Sequence, residues 1–154
     1  MIVVSDTSAI TSLLQIGRVE LLALLYDKVF IPEAVREELF QEHATIPAFI
    51  NCQAVADVGA VERLLMELDL GEAEAIVLAK ELKAQDLLMD ESDGRKVAER
   101  EGIHAIGLLG VLVQAKGRGL IPSVREVTDE LESKAGFRVS EAVKEIIFRA
   151  AGEL

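Results

Sequence analysis

Short apolar runs recur along this chain with gaps between them that suit helices, and this alternation constrains the fold more than any other feature. IVVS (2–5), KVFIP (28–32), the start of DLLMDESD (86–93) and IHAIG (103–107) read as strands. Between them, apolar residues fall at helical spacing, as at Ile10, Leu13, Leu14 and Ile16 within 7–16, or Val35 and Leu39 within 33–42. The same reading predicts helices over 19–25, 61–69, 72–84, 94–102, 108–119 and, started by a proline, 120–134. Gly17 ends the first helix and Gly71 separates the fourth from the fifth, while 44–59 reads as a strand with loops. Strands alternating with helices predict an α/β fold whose parallel sheet is covered on both faces. In such sheets functional groups collect at the carboxyl ends of the strands.

At 154 residues and 51% hydrophobic, the chain suits one domain over 1–154, with 136–154 as a helical extension packed on it. No apolar run approaches the roughly 20 residues of a membrane span. The first ten residues, MIVVSDTSAI, lack a basic start and meet an Asp at once, unlike a secretory leader. A single cysteine, Cys52, excludes an internal disulfide or a cysteine zinc cluster and fits a reducing, cytoplasmic setting; it is expected to be a small buried residue. The net charge of −11 argues against a plain nucleic-acid-binding module. It does not exclude an enzyme that meets phosphates through a divalent ion, because the ion inverts the local sign. With no Trp and one Tyr, a base-stacking platform is not expected.

The acids carry the functional signal. Asp6 ends the first strand, and Asp90 and Asp93 follow LLM. Glu38 borders the apolar stripe of its helix, whereas Glu37 is turned about 100° away. Glu72 and Glu74 lie about 200° apart, so one of them can face a given site. Each acid also has a plain structural role open to it: Asp6 as a helix cap, Asp90 and Asp93 as turn or cap residues, Glu38 as a surface acid, Glu72 as a partner of the helix dipole. If they converge, their mutual repulsion calls for a hard cation such as Mg²⁺, which takes oxygen ligands and keeps several waters. Such a site suits phosphodiester cleavage. Arg95 and Lys96 follow the acids and could contact a phosphate or simply face solvent. His43 and His104 are not spaced as a metal pair, and His104 suits a core or strand end.

In order, VVSDTSAITSLL, IPEAVREEL, LGEAEAIVLA and LLMDESDGRKVA resemble a PIN domain over most of the chain. The later stretches LGEAEAIVLAKEL and AGFRVSEAV are similar to a prokaryotic PIN-like branch grouped near the VapC-type toxins. The resemblance implies a three-layer α/β/α sandwich and Mg²⁺- or Mn²⁺-dependent endoribonuclease chemistry. It makes Asp6, Glu72 and Asp90 the metal ligands, with Glu38 and Asp93 completing the pocket and Ser8 supporting them by a hydrogen bond. Glu74 is an alternative to Glu72, and Glu91 to Asp93. It further implies an RNA substrate, a homodimer and an antitoxin protein whose basic residue would occupy the cleft. A competing reading is a catalytically weak PIN-like binding or regulatory protein. A phosphatase or receiver reading is disfavoured, because SDTSA lacks the second Asp of a DxD pair and no lysine closes a later strand.

Overall fold

The computed structural model describes residues 1–154. Five strands form one all-parallel sheet: β1 (Ile2–Ser5), β2 (Lys28–Ile31), β3 (Ile50–Cys52), β4 (Asp86–Leu88) and β5 (Ala105–Ile106). Their order across the sheet is β3-β2-β1-β4-β5. The chain runs outward from β1 to β3, then returns to β1's other side for β4 and β5. The sheet therefore switches direction between β1 and β4, where Val4 pairs with Leu87 and Ser5 with Leu88. That switch point is where doubly wound sheets open a crevice.

Nine helices cover the two faces: α1 (Thr7–Gln15), α2 (Glu20–Leu25), α3 (Glu33–Glu42), α4 (Val58–Leu64), α5 (Leu70–Leu82), α6 (Ser92–Arg100), α7 (Leu108–Gly117), α8 (Val124–Lys134) and α9 (Glu141–Ala150). Successive strand residues point to opposite faces. Val3, Val29 and Leu88 pack with α1, α2, α7 and α8, joined by Phe148 of α9. Val4, Leu87 and Met89 pack with α4, α5 and α6. Two apolar cores, one on each side of the sheet, make the three-layer α/β/α sandwich.

Some boundaries differ from those read off the sequence. Gly71 does not break a helix; it lies inside α5, which Asp69 starts through a reciprocal capping box with Glu72. The preceding helix, α4, correspondingly ends earlier, at Leu64. Helix α6 begins at Ser92 rather than at Gly94, and α8 is started by the Ser123 hydroxyl rather than by proline. Cys52 is exposed, because β3 is a three-residue strand at the sheet edge and offers little cover. His104 stands just before β5, its Nδ1 2.7 Å from the buried Asp86 carboxylate, which also accepts from the Tyr26 hydroxyl at 2.7 Å.

Candidate active site

Asp6 follows β1 and caps α1. Its backbone N–H donates to the Leu88 carbonyl at 3.0 Å, which extends the β1–β4 pairing by one residue and fixes Asp6 at the switch point. The residue is 6% exposed. One carboxylate oxygen accepts the Ala9 N–H at 3.2 Å and the other the Ser8 hydroxyl at 3.3 Å. Capping and site-building are thus the same act. Burial pushes the Asp6 pKa up to about 7, the charge of Asp90 adds to the rise, and the Ala9 N–H and Ser8 hydroxyl only partly offset it.

Asp90 comes two residues after β4. Its Oδ1 accepts the Leu108 N–H at the start of α7 at 2.8 Å. Its Oδ2 is buried and has no hydrogen-bond partner. Burial raises its pKa, while the Leu108 N–H and nearby Arg95 pull it down. Glu72 is held from the other side. Its N–H donates to Asp69 at 2.8 Å, and its own carboxylate accepts the Asp69 N–H at 3.2 Å. Burial raises the Glu72 pKa, the Asp69 N–H lowers it, and the charges of Asp69 and Glu91 raise it further. Glu38 enters from α3, its Oε2 accepting the Thr7 hydroxyl at 2.9 Å.

These groups surround a cavity of about 290 Å³ lined by Asp6, Thr7, Ser8, Glu38, Asp69, Gly71, Glu72 and Glu91, with no apolar side chain among them. Two glycines make room for the carboxylates. A Cβ on Gly71 would stand 2.6 Å from Glu38 Oε1. A Cβ on Gly94 would stand 2.5 Å from Met89 Sδ and 3.4 Å from Glu72 Oε2.

The structure brings Asp6, Ser8, Glu38 and Glu72 to one cavity and sets Asp90 against Asp6 at its edge. Glu91 lines the cavity; Asp93 does not. Asp93 lies exposed in the first turn of α6, in a recess with Glu67, Lys96 and Arg100. The reason is the early start of α6: Glu91 is its extended cap residue, and the chain has turned by the time it reaches Asp93. Glu74 also points elsewhere, accepting the Ala34 N–H at the start of α3 at 3.0 Å. Arg95 stands near Asp90 but outside the acidic cavity, and Lys96 faces away with Asp93. Asp69 and Thr7 were not singled out by sequence, although the D-x-x-E spacing of Asp69 and Glu72 is a capping-box signal.

The side-chain donors are all oxygen, five carboxylates and two hydroxyls, and Asp90 at the edge adds a buried carboxylate oxygen without a partner. That chemistry suits a hard divalent ion. No three of the acids stand close enough together to close on one ion directly. Mg²⁺ is bound by one or two carboxylates and keeps several waters, so wider spacing is compatible with it.

A family model described as DUF3368, PIN domain, matches residues 2–153. Among curated proteins none matches the chain. PIN domains are in general nucleases, and acids gathered at a sheet's switch point are in keeping with that. The match runs from the first residue of β1 to Glu153, beyond the last helix, so one family accounts for the whole fold: the chain belongs to the PIN domain family DUF3368.

Proposed function

We propose that the protein is a metal-dependent endoribonuclease that hydrolyses RNA phosphodiester bonds at this cavity, and that it serves as the toxin of a toxin–antitoxin pair, as a homodimer. The observation that carries the reading is the buried Asp6 beside the half-buried Asp90 at the switch point. Asp6 has a pKa of about 7, and Asp90 has a carboxylate oxygen with no partner in the chain. Acids are kept in such a state, at a cost in stability, where chemistry needs them.

Asp6, Glu72 and Asp90 would hold a Mg²⁺ or Mn²⁺ ion, no more than two of them directly and the rest through its waters, as would Glu38 and Glu91. Bound there, the ion would supply the Lewis acidity that phosphodiester hydrolysis requires. The chain's own groups prepare the site. Ser8 and the Ala9 N–H orient the Asp6 carboxylate. Thr7 fixes Glu38, the Asp69 N–H fixes Glu72, and the Leu108 N–H turns Asp90 so that its second oxygen is left for a ligand. With a pKa of about 7, Asp6 can take up or release a proton at neutral pH when no cation is present.

A binding-only protein would be favoured by a cavity sealed by a cation of its own. Neither Arg95 nor Lys96 lines it. The test is cleavage of a mixed pool of structured and single-stranded RNAs with Mn²⁺ or Mg²⁺. Wild type is expected to cut, chelation to stop it, and Asp6→Asn to abolish it. A folded wild type that cuts no RNA with either metal would move the assignment to a binding role.

A further inference from the structure

A second, larger recess of about 920 Å³ adjoins the acidic cavity. Ser8 and Glu91 line both, so the two share a rim, and Asp90 stands at the head of the larger one. One wall is the outer edge of β5 and the start of α7. The other is the segment 137–140, between α8 and α9, with Val143 and Ile147 of α9. At this size the recess is near the upper end of the roughly 300–1,000 Å³ of small-molecule pockets.

Its lining is balanced in charge where the protein as a whole is acidic, with Asp90 and Glu91 against Arg95 and Arg138. The chain carries 27 acids and a net charge of −11. Beyond Asp90 and Glu91 at the shared rim, the lining holds no acid at all, and its charged or titratable groups are Arg95, Arg138 and His104. His104 is committed to Asp86. Some cations elsewhere are paired, such as Arg18 with Glu130, Arg100 with Glu67, Lys116 with Glu153, Lys144 with Glu132 and Arg149 with Glu145, and others, such as Lys28 and Arg63, are not. Arg95 and Arg138 form no ion pair. Arg138 is exposed between the half-buried Phe137 and Val139, and Phe137 is anchored by its N–H to the Leu131 carbonyl at 3.1 Å. Arg95 stands at the other end, its Nη1 beside Gly107, where a Cβ would be 3.1 Å away. Two unpaired guanidiniums thus flank a trough that leads away from the acids.

We infer that this recess is the track for the RNA strand on one side of the scissile phosphate, and that Arg138 and Arg95 hold its backbone phosphates. The inference rests on the ribonuclease reading above and extends it to residues outside the acid cluster. Guanidinium groups suit phosphate oxygens in pairs, and such contacts position a strand without reading its sequence. The apolar floor, from Ile106 and Leu109 to Val143, suits the faces of sugars and bases.

The test uses the full chain carrying Asp6→Asn, which keeps RNA uncut, and a fluorescent single-stranded RNA titrated at several salt concentrations. Adding Arg138→Ala or Arg95→Ala is expected to weaken binding about three- to tenfold and to flatten the salt slope by about 1 for each arginine. Arg138→Lys should restore the slope. Arg149→Ala, on the outward pair with Glu145, should change neither. In the otherwise wild-type enzyme, Arg138→Ala should raise KM for a long RNA and leave kcat in place. A wild type that cuts RNA while the arginine variants bind and cut as it does would overturn the track and leave the ribonuclease. A poly-glutamate peptide that binds and is lost with Arg138→Ala, with RNA binding untouched, would instead make the recess a protein-docking surface. A protein that neither binds nor cuts RNA removes both readings.

Discussion

Asp6 does three things with one carboxylate. It caps α1, it faces the cavity, and it lies beside Asp90 in a place where its charge is poorly solvated. Burial raises its pKa most, the cap bond to the Ala9 N–H lowers it, the charge of Asp90 raises it again, and burial wins. The consequence for stability follows from linkage. Below the ordinary aspartate value of 3.8 both folded and unfolded chains carry the proton, so the group costs nothing. As pH rises from there to about 7, the unfolded chain ionises and the folded one resists, so stability falls. Above about 7 the loss is complete. Asp6→Asn keeps an oxygen for the Ala9 N–H and never ionises. Without metal it is therefore expected to stabilise the protein at pH 8, by up to about 4 kcal/mol, with a smaller gain at pH 5. Denaturant unfolding in chelator at the two pH values measures this, and a variant less stable than wild type at pH 8 would refute the account of Asp6. Sequence alone showed Asp6 at a strand end; that its burial would move the pKa this far depends on β4, α1 and Asp90 closing around it.

Helix α5 shows how an element can serve a site against its own propensity. Gly71 sits within its first turn, where glycine is a poor helix former. The reason is Glu38, whose Oε1 would lie 2.6 Å from a Cβ there. Gly71→Ala should leave the helix intact or firm it by up to about 1 kcal/mol, the ordinary difference between the two residues. Meanwhile it should push the flexible Glu38 carboxylate off its hydrogen bond with Thr7 and cut RNA cleavage by about tenfold or more, a cost typical of a misplaced catalytic group. Thermal melts and initial rates on the same preparations separate the two effects; unchanged cleavage would show that Glu38 need not stand where it does. From sequence, Gly71 reads as a helix breaker, because nothing local reveals that a glutamate from α3 needs the space. The capping box of Asp69 and Glu72 is local, and it was there to be read.

At the scale of the whole molecule, the end of the chain is fastened to the core by Glu153. Its carboxylate accepts from the Val124 N–H at 2.6 Å, the Ser123 hydroxyl at 2.9 Å, Lys116 Nζ at 2.9 Å and the Arg125 N–H at 3.0 Å. The link ties the end of α9 to α7 and to the first turn of α8. Burial pushes the Glu153 pKa up, but these donors outweigh it and bring it down to about 2 from the ordinary glutamate value of 4.5. The stabilisation is complete above 4.5 and is lost as pH falls towards about 2. Glu153→Gln should therefore cost on the order of 3 kcal/mol at pH 7, with the gap from wild type closing between pH 4.5 and about 2. Chemical denaturation across that range tests it, and a cost that does not depend on pH would mean that packing, not the charge, holds the end. The fastening also bears on function, since α9 and the segment before it form one wall of the recess beside the acids.

By itself the sequence determined the kind of fold and the chemical character of the site. Apolar runs at two periods dictate strands and helices in alternation, and that alternation leaves little but a parallel sheet with helices on both faces. It also placed Asp6 and Asp90 after strands, and the motifs around them named the PIN resemblance. The tertiary structure decided which acids meet. Glu91 lines the cavity and Asp93 does not, because α6 starts earlier than its glycine suggests, and a shift of two residues turns a helical side chain through about 200°. Glu72 faces in and Glu74 does not, a choice the helical spacing posed and only α3 resolved. The same holds for Arg138, distant in sequence from every acid of the cluster. Direction, burial and charge environment arise from groups far apart along the chain, so they exist only once the sheet and its helices have closed.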